Sequence, residues 1–505
     1  MVEVARKFYT GRRNGKGIFG ICERKQCEIM KEIYLEKRKI YSYPDDAEIF
    51  APSKQYPEYP FQEISESPNE VYDMVRRSMI GMELDQKNIG LPTWNPLGDY
   101  IKPGDSVVIK PNMVKHCESL SQYECTLTHP SVVRVVIDYC IIAKAGKIIV
   151  GDAPIQGADM NLIKEGYFYN KLIAYYKEKG VAIEFADFRD LIVKKVNGII
   201  VTQKEKNPAS KEYITVSLGK ESKHYEDYFH GKYETCGYVN EEINLLHHED
   251  RHDYVIAREI LEADCIINLP KPKTHRFAGI TGAQKNFVGS CSDKESLPHF
   301  KAGSSCVGGD ETNNNSILSK LIAYFYRKYL WECKKNRRLK AYIYIFIYRC
   351  LCVIKGNKFY VHGAWYGNDT IWRTIIDLNK IMLYTDKKGK LIWNVPQRKI
   401  LTIGDMIIAG EKEGPLNPTA KPLGIILISR NAAVFDYTFC KITGFDEKLI
   451  PTVFHSIRNT KISMENWEEI RLSSNVEEFN QVKLKNMDFK EKFAFEPHPF
   501  WKEIL

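Results

Sequence analysis

The segment from 263 to 300, ADCIINLPKPKTHRFAGITGAQKNFVGSCSDKESLPHF, limits what this chain can become more than any other stretch. Cys265 to Leu269 is a short apolar run closed by Pro270, the pattern of a strand buried on both faces of a parallel sheet. Lys271, Lys273, His275 and Arg276 follow at once, and small residues from Gly279 to Asn286 lead to a helix start. In open α/β sheets, ligands sit beyond the carboxyl ends of the strands. A loop there with cations, a histidine and glycines suits an anionic or polar ligand, helped by backbone N–H groups at the helix start. A solvated basic loop without chemistry is the competing reading of the same residues.

The flanking sequence predicts an α/β fold. Ser106 to Ile109 reads as a strand ending in Lys110-Pro111-Asn112, and Thr128-His129-Pro130 opens a helix to about Lys144. Ile148 to Val150 is a second strand ending at Gly151-Asp152, Met160 to Lys179 a helix, and Ala182 to Phe185 a third strand. This alternation calls for right-handed parallel crossovers. The rhythm resumes with a helix over 371–384 and a strand over 399–403 ending at Gly404-Asp405. A loop over 409–416, a strand over 424–429 and a helix over 431–442 complete it. We therefore expect two lobes with mainly parallel sheets flanked by helices. The first spans 100–310, with a β-rich embellishment near 190–250; the second, with a C-terminal tail, spans 356–505.

Two regions fall outside this pattern. Residues 1–99 form an N-terminal extension, in which charge-rich Glu23 to Lys39 reads as a helix. Tyr41 to Phe61, rich in proline and tyrosine, reads as an extended segment on a core, and Val71 to Leu84 as a helix. Residues 311–355 hold a basic and aromatic helical insertion around Lys334-Lys335-Asn336-Arg337-Arg338-Leu339-Lys340. Its apolar runs fall short of the roughly 20 residues that span a bilayer. It reads either as a hairpin docked on the core or as an amphipathic element on an anionic membrane surface.

Thirteen cysteines without any C-x-x-C pair leave no support for a zinc ribbon or an iron–sulfur cluster and point to reduced thiols in the cytoplasm, at most peripheral to its membrane. The N-terminus shows no continuous apolar stretch of a signal peptide. A net charge of +9 and no recognisable nucleic-acid module favour an anionic small molecule over nucleic acid. Adjacent His247 and His248 beside acids rarely address one ion in regular structure.

The pieces VVIKPN at 107–112, THPSVVRVVI at 128–137, KIIVGDAP at 147–154 and ADCIINLPKPKTH with GITGAQKNFVG between 263 and 289 resemble the domain-of-unknown-function 362 (DUF362) family. HGAWYGNDTIWRTIIDLNK at 362–380 and IGDMIIAGEKEGPL at 403–416 extend the likeness. Many members carry a ferredoxin-like cysteine cluster that this chain lacks, so no iron–sulfur role carries over. The stretch from His275 to Lys285 is distantly similar to nickel-pincer lactate racemases. There the matching lysine tethers the cofactor and the matching histidine serves the metal. His299 matches a later site histidine, and the glycine-threonine-histidine motif has no counterpart.

These readings give a candidate site. Asp152, His275 and Lys285 are the expected catalytic groups, a carboxylate base and a crowded lysine of lowered pKa among them. Lys110, Asn112, Lys273, Thr281 and Asn286 are expected to hold the anionic substrate. Asp405, Glu411, Asp436 and His299 are expected to bind a divalent cation; Glu413 is expected to face solvent. The cofactor is otherwise open. The expected function is an isomerase, oxidoreductase or group-transfer enzyme on an anionic metabolite in an inter-lobe cleft. The alternative is a non-catalytic accessory protein of an envelope polysaccharide pathway, peripherally bound to membrane through 317–355.

Overall fold

Buried strands with branched side chains on both faces organise the chain, as the apolar run at Cys265 requires. The computed structural model describes residues 31–46, 49–196, 200–227, 231–235, 237–238, 242–313, 315–356 and 362–505. From Glu32 onward the chain is one compact unit. Eleven strands form its main sheet: β1 (Ile33–Lys37), β2 (Ser106–Pro111), β3 (Lys147–Asp152), β4 (Ile183–Asp187), β5 (Cys265–Leu269), β6 (Lys273–His275), β7 (Gly279–Thr281), β8 (Lys399–Glu411), β9 (Thr419–Ser429), β10 (Arg471–Ser474) and β11 (Val482–Lys483). The order is β11-β10-β1-β9-β8-β5-β2-β3-β4, with β6 pairing β8 and β7 off this path. Strands β8, β5, β2, β3 and β4 are parallel to one another. The α/β class predicted from the alternation is the class observed.

The expected lobes are not separate. β5 of the first pairs directly with β8 of the second, so one sheet runs through both. The N-terminal extension enters the same sheet. β1 lies between β9 and β10, and the helix expected over Glu23 to Lys39 is a strand in its described part. Ile33 and Leu35 go to one core and Tyr34 to the opposite one, as a strand of period two demands.

Helices cover both faces. On one, α1 (Glu70–Gly81) and α2 (Pro130–Ile142) pack their apolar sides on Val107, Ile109 and Ile267. His129 caps α2 by accepting from the Ser131 amide. The tyrosine-rich segment wraps this side. Arg134 and Asp138 form a fully buried pair at 3.0 Å. Tyr59 accepts from Arg134, while Tyr72 and Tyr176 donate to Asp138. Each tyrosine buries its ring and satisfies the pair with its hydroxyl.

On the other face lie α3 (Ala283–Asn286), α6 (Ile371–Tyr384) and α7 (Ala432–Thr443), while the insertion forms two helices packed on each other, α4 (Ile317–Lys334) and α5 (Arg338–Ile354). Leu378, Ile381 and Met382 of α6 meet Val108, Ile149 and Ile266 of the sheet. The helix expected over 160–179 is broken, with Phe168 at φ 61° between Met160–Gly166 and Tyr169–Glu178. Near 190–250, Leu191–Val196 pairs with Ile200–Lys206 and Tyr213–Ser217 with Arg251–Ala257. His247 is buried and its neighbour His248 exposed, the alternation of a strand.

One correction follows from the length of β8. Asp405 was expected beyond a strand end but lies inside β8, which continues to Glu411. Lys271 makes that tolerable, with its Nζ 2.9 Å from Asp405 and both side chains fully buried. Tyr43 donates to Asp405 at 2.6 Å and stacks on His129, whose backbone N–H donates to the same carboxylate at 2.9 Å. The Lys271→Met substitution strands that carboxylate in the core. It is expected to lower the free energy of unfolding by about 3–5 kcal/mol, read as a shift in urea midpoint, with Lys271→Met/Asp405→Leu recovering part of the loss.

Candidate functional site

A cavity of about 580 Å³ opens beyond the carboxyl ends of β2, β3 and β5. Its size is that of a small-metabolite pocket. Asn112 and Val114 after β2, Asp152 at the end of β3 with Ala153 and 155–157 after it, the β6–β7 hairpin, α3 and His299 line it. Leu330, Cys333 and Lys334 of α4 and Pro415 and Leu416 after β8 complete the wall. The placement follows the rule for parallel sheets. The cation-rich loop after β5 therefore does face a cavity.

The lysines divide into two groups. Lys110 is fully buried and paired with Asp152 at 2.7 Å. Asp152 accepts in addition from the backbone N–H of Met113 at 2.6 Å and of Ala153 at 2.9 Å. Both of its oxygens are thus already committed to a cation and two amides. Asp152 is therefore the anchor of Lys110 rather than the expected general base, and Lys110 does not reach the cavity. Gly289 is needed beside them, since a Cβ there would lie 1.8 Å from Asp152 Oδ1.

Lys273, Lys285 and Lys294 line the cavity and have no ion pair among the described residues. Lys273 donates to Asn112 Oδ1 at 2.8 Å and to the Thr126 carbonyl at 2.6 Å. Lys294 donates to the Val288 carbonyl at 2.6 Å. The Lys285 Nζ makes no hydrogen bond among the described residues. Burial, then the charge of Lys271, brings the Lys273 pKa down to about 7. Burial, then Lys294 and Arg276, brings Lys285 down to about 7. Burial brings Lys294 to about 8. Desolvation and like charge both disfavour the ammonium.

Two histidines present opposite hydrogen-bond polarity. His275 Nδ1 accepts from the Phe277 and Ala278 amides at 3.0 and 3.2 Å. Burial, then Lys285, holds its pKa well below the usual range, so the ring is neutral and Nε2 carries the proton. His299 Nδ1 lies 2.8 Å from the Leu297 carbonyl, which can only accept. Burial lowers its pKa to about 3, so its Nε2 keeps a lone pair. One imidazole is a donor and the other an acceptor.

An amide chain fixes the floor. Asn112 donates to Asn286, and Asn286 donates to Asn268 and to the Lys110 carbonyl. Asn286 is thereby spent on structure. Thr281 lines the cavity and its buried Oγ1 has no partner among the described residues. Gln156, which no motif marks, lines the cavity with both side-chain amide atoms buried and unpartnered among the described residues. Only its place in the loop after β3 could have marked it.

The acidic set does not converge. No group of three or more His, Cys, Asp or Glu that could hold a metal occurs among the described residues. Asp405 belongs to Lys271. Glu411 accepts from the Glu496 amide at 3.0 Å and lies 3.3 Å from Lys421. Asp436 accepts from the Ala283 and Gln284 amides at 2.6 and 3.1 Å, capping α3 from behind. Burial pushes its pKa up to about 7. The helix N-terminus expected to meet a substrate anion is thus taken by the protein's own carboxylate. Gly282 permits that approach, since a Cβ there would lie 2.0 Å from Asp436 Oδ1. Glu413 is exposed as expected.

The geometry can be set beside known proteins. A model described as "Domain of unknown function (DUF362)" matches residues 107–213 and 232–441. The chain belongs to the DUF362 family. No curated protein matches it. Among solved structures it is similar to a Thermotoga maritima protein, at 9% identity and a TM-score of 0.28. That match covers 69% of this chain and 54% of the other. It is also similar to the lactate racemase apoprotein of Thermoanaerobacterium thermosaccharolyticum, at 10% identity and a TM-score of 0.30, covering 77% and 62%. The chain thus spans little over half the length of these proteins. A pincer-type metal cofactor does not fit His275, whose Nε2 carries a proton while Nδ1 is held by two amides.

The lysines give the site a measurable signature. Sulfate stays a dianion at neutral pH and above, so any pH dependence of its binding reports the protein. Its affinity is expected to fall by up to about tenfold per pH unit above 7 for each ammonium it needs. Binding is accompanied by proton uptake, seen by calorimetry in buffers of different ionisation enthalpy. Lys285→Met should weaken the binding and flatten the profile.

Proposed function

We propose that the protein is an enzyme that moves a proton on a small anionic metabolite, an isomerase of a hydroxy acid, keto acid or sugar phosphate. The observation that carries this reading is Lys285. It has no hydrogen-bond or ion-pair partner among the described residues, its pKa lies near 7, and it shares a cavity with a donor and an acceptor imidazole.

Lys273 and Lys294 hold the carboxylate or phosphate. Lys285, as the free amine, takes a proton from the carbon beside a carbonyl and becomes an ammonium. The electron pair moves onto the carbonyl oxygen, where His275 Nε2–H donates to the developing enolate. His299 Nε2 accepts a hydrogen bond from a neighbouring hydroxyl and orients it. The hydroxyl proton passes to the enolate oxygen while Lys285 returns its proton to the carbon that bore the carbonyl, so the isomer forms with no net oxidation and no proton lost. Gln156 and Thr281 offer the polar contacts that select the substrate. The apolar wall from Val114, Ile155 and Leu330 excludes water, which strengthens these interactions.

The test is solvent exchange in D2O with a panel of 2-hydroxy acids, 2-oxo acids and sugar phosphates, followed by proton NMR. A member of the panel is expected to lose its activated C–H signal. Lys285→Met should abolish that exchange and leave the melting temperature nearly unchanged. His299→Gln should slow it by roughly 10²–10⁴-fold. Wild-type exchange by Lys285→Met, or its collapse as a fold, rules the reading out.

A further inference from the structure

The two helices of the insertion pack on each other through one side. Tyr326, Tyr329, Leu330 and Cys333 of α4 meet Ala341, Tyr344 and Ile345 of α5. Arg327 ties the pair down through Glu234 at 2.7 Å and Glu311 at 2.8 Å. The outer faces carry apolar side chains at helical spacing: Leu339, Ile343, Phe346 and Val353 on α5, Ile317 and Leu321 on α4. Phe346 and Val353 are each 68% exposed and Leu339 75%. Nearly half of all large exposed hydrophobic residues described in the chain lie in these two helices, so this is a patch and not scatter.

Charge selects what covers it. Residues 317–355 contain ten Lys or Arg and a single acid, Glu332. The segment therefore carries the whole net charge of the chain, +9, and the remainder is balanced. Lys320, Lys335, Arg337, Arg338, Lys340 and Arg349 are exposed beside the apolar stripes. Apolar and basic residues combined in this way are what an interfacial helix needs to lie in the headgroup layer of an anionic bilayer. No single described helix is long and apolar enough to cross a membrane.

We propose that the α4–α5 hairpin seats the protein peripherally on an anionic membrane, its outer face dipping into the headgroup layer. Leu330 and Cys333 of the same hairpin line the cavity, so the seated element also forms one of its walls. The proposal does not rest on the chemistry assigned to Lys285.

The test is flotation of the full chain with vesicles of phosphatidylcholine alone and of equal parts phosphatidylcholine and phosphatidylglycerol. The protein is expected to float with the anionic vesicles at low salt, and less as salt rises. Ile343→Glu/Phe346→Glu should cut binding at least tenfold. Arg337→Gln/Arg338→Gln/Lys340→Gln, which leaves the apolar face intact, should do the same with an unchanged circular dichroism spectrum. Failure to float with either vesicle overturns the proposal, as does binding that neither variant set alters. Concentration-dependent dimerisation without lipid that Ile343→Glu/Phe346→Glu abolishes would assign the face to a second copy instead.

Discussion

A charge removed from water must find a partner, and at the tips of β2, β3 and β5 this constraint shapes the molecule. Lys110 has Asp152, and Lys271 has Asp405. These two pairs cost desolvation and contribute little net stability, but breaking either is expensive. Each joins elements far apart in sequence: β2 to the end of β3, and the loop after β5 to the middle of β8. Because Asp405 also holds Tyr43 and the His129 amide, the N-terminal extension and the start of α2 hang on the same carboxylate.

Against those satisfied pairs, the three lysines of the cavity stand out. Lys273 and Lys294 have carbonyl oxygens, which soften an ammonium without neutralising it. Lys285 has neither. The neighbouring imidazoles cannot trade roles, because each Nδ1 is fixed by backbone groups of opposite kind. The backbone thereby sets the proton positions of the site before any ligand arrives, which is what preorganisation means physically.

The strand Cys265–Leu269, its cationic loop and the cavity position were legible because a parallel sheet allows few other outcomes. Lys285 was legible by its crowding with other cations. Partner choice was not. Asp152 and Asp405 look alike in sequence, each following a glycine, and only tertiary contact shows that both are consumed by lysines. Asp436 was read as a metal ligand because a helical carboxylate carries no mark of the helix end it caps. β1 was misread because Glu36 and Lys37 suggest a solvated helix, whereas Glu36 is buried and accepts from Tyr34. Gln156 bears no charge and belongs to no motif, so nothing local announces it.

Folding and binding meet in the same three lysines. Their folded pKa values, about 7 for Lys273 and Lys285 and about 8 for Lys294, lie below the 10.5 of an ordinary lysine. The unfolded chain therefore binds more protons between those limits, and stability rises with pH across that window. The cost is full below about pH 7 and vanishes above about 10.5. An anion seated against Lys273 and Lys294 would restore their ammonium form and remove their share of the cost, and so would stabilise the fold by mass action. A neutral packing of the same volume would give a more stable protein. Three adjacent lysines without carboxylate partners among the described residues are a standing cost in the fold, and the anion proposed to bind there is a group that would offset it.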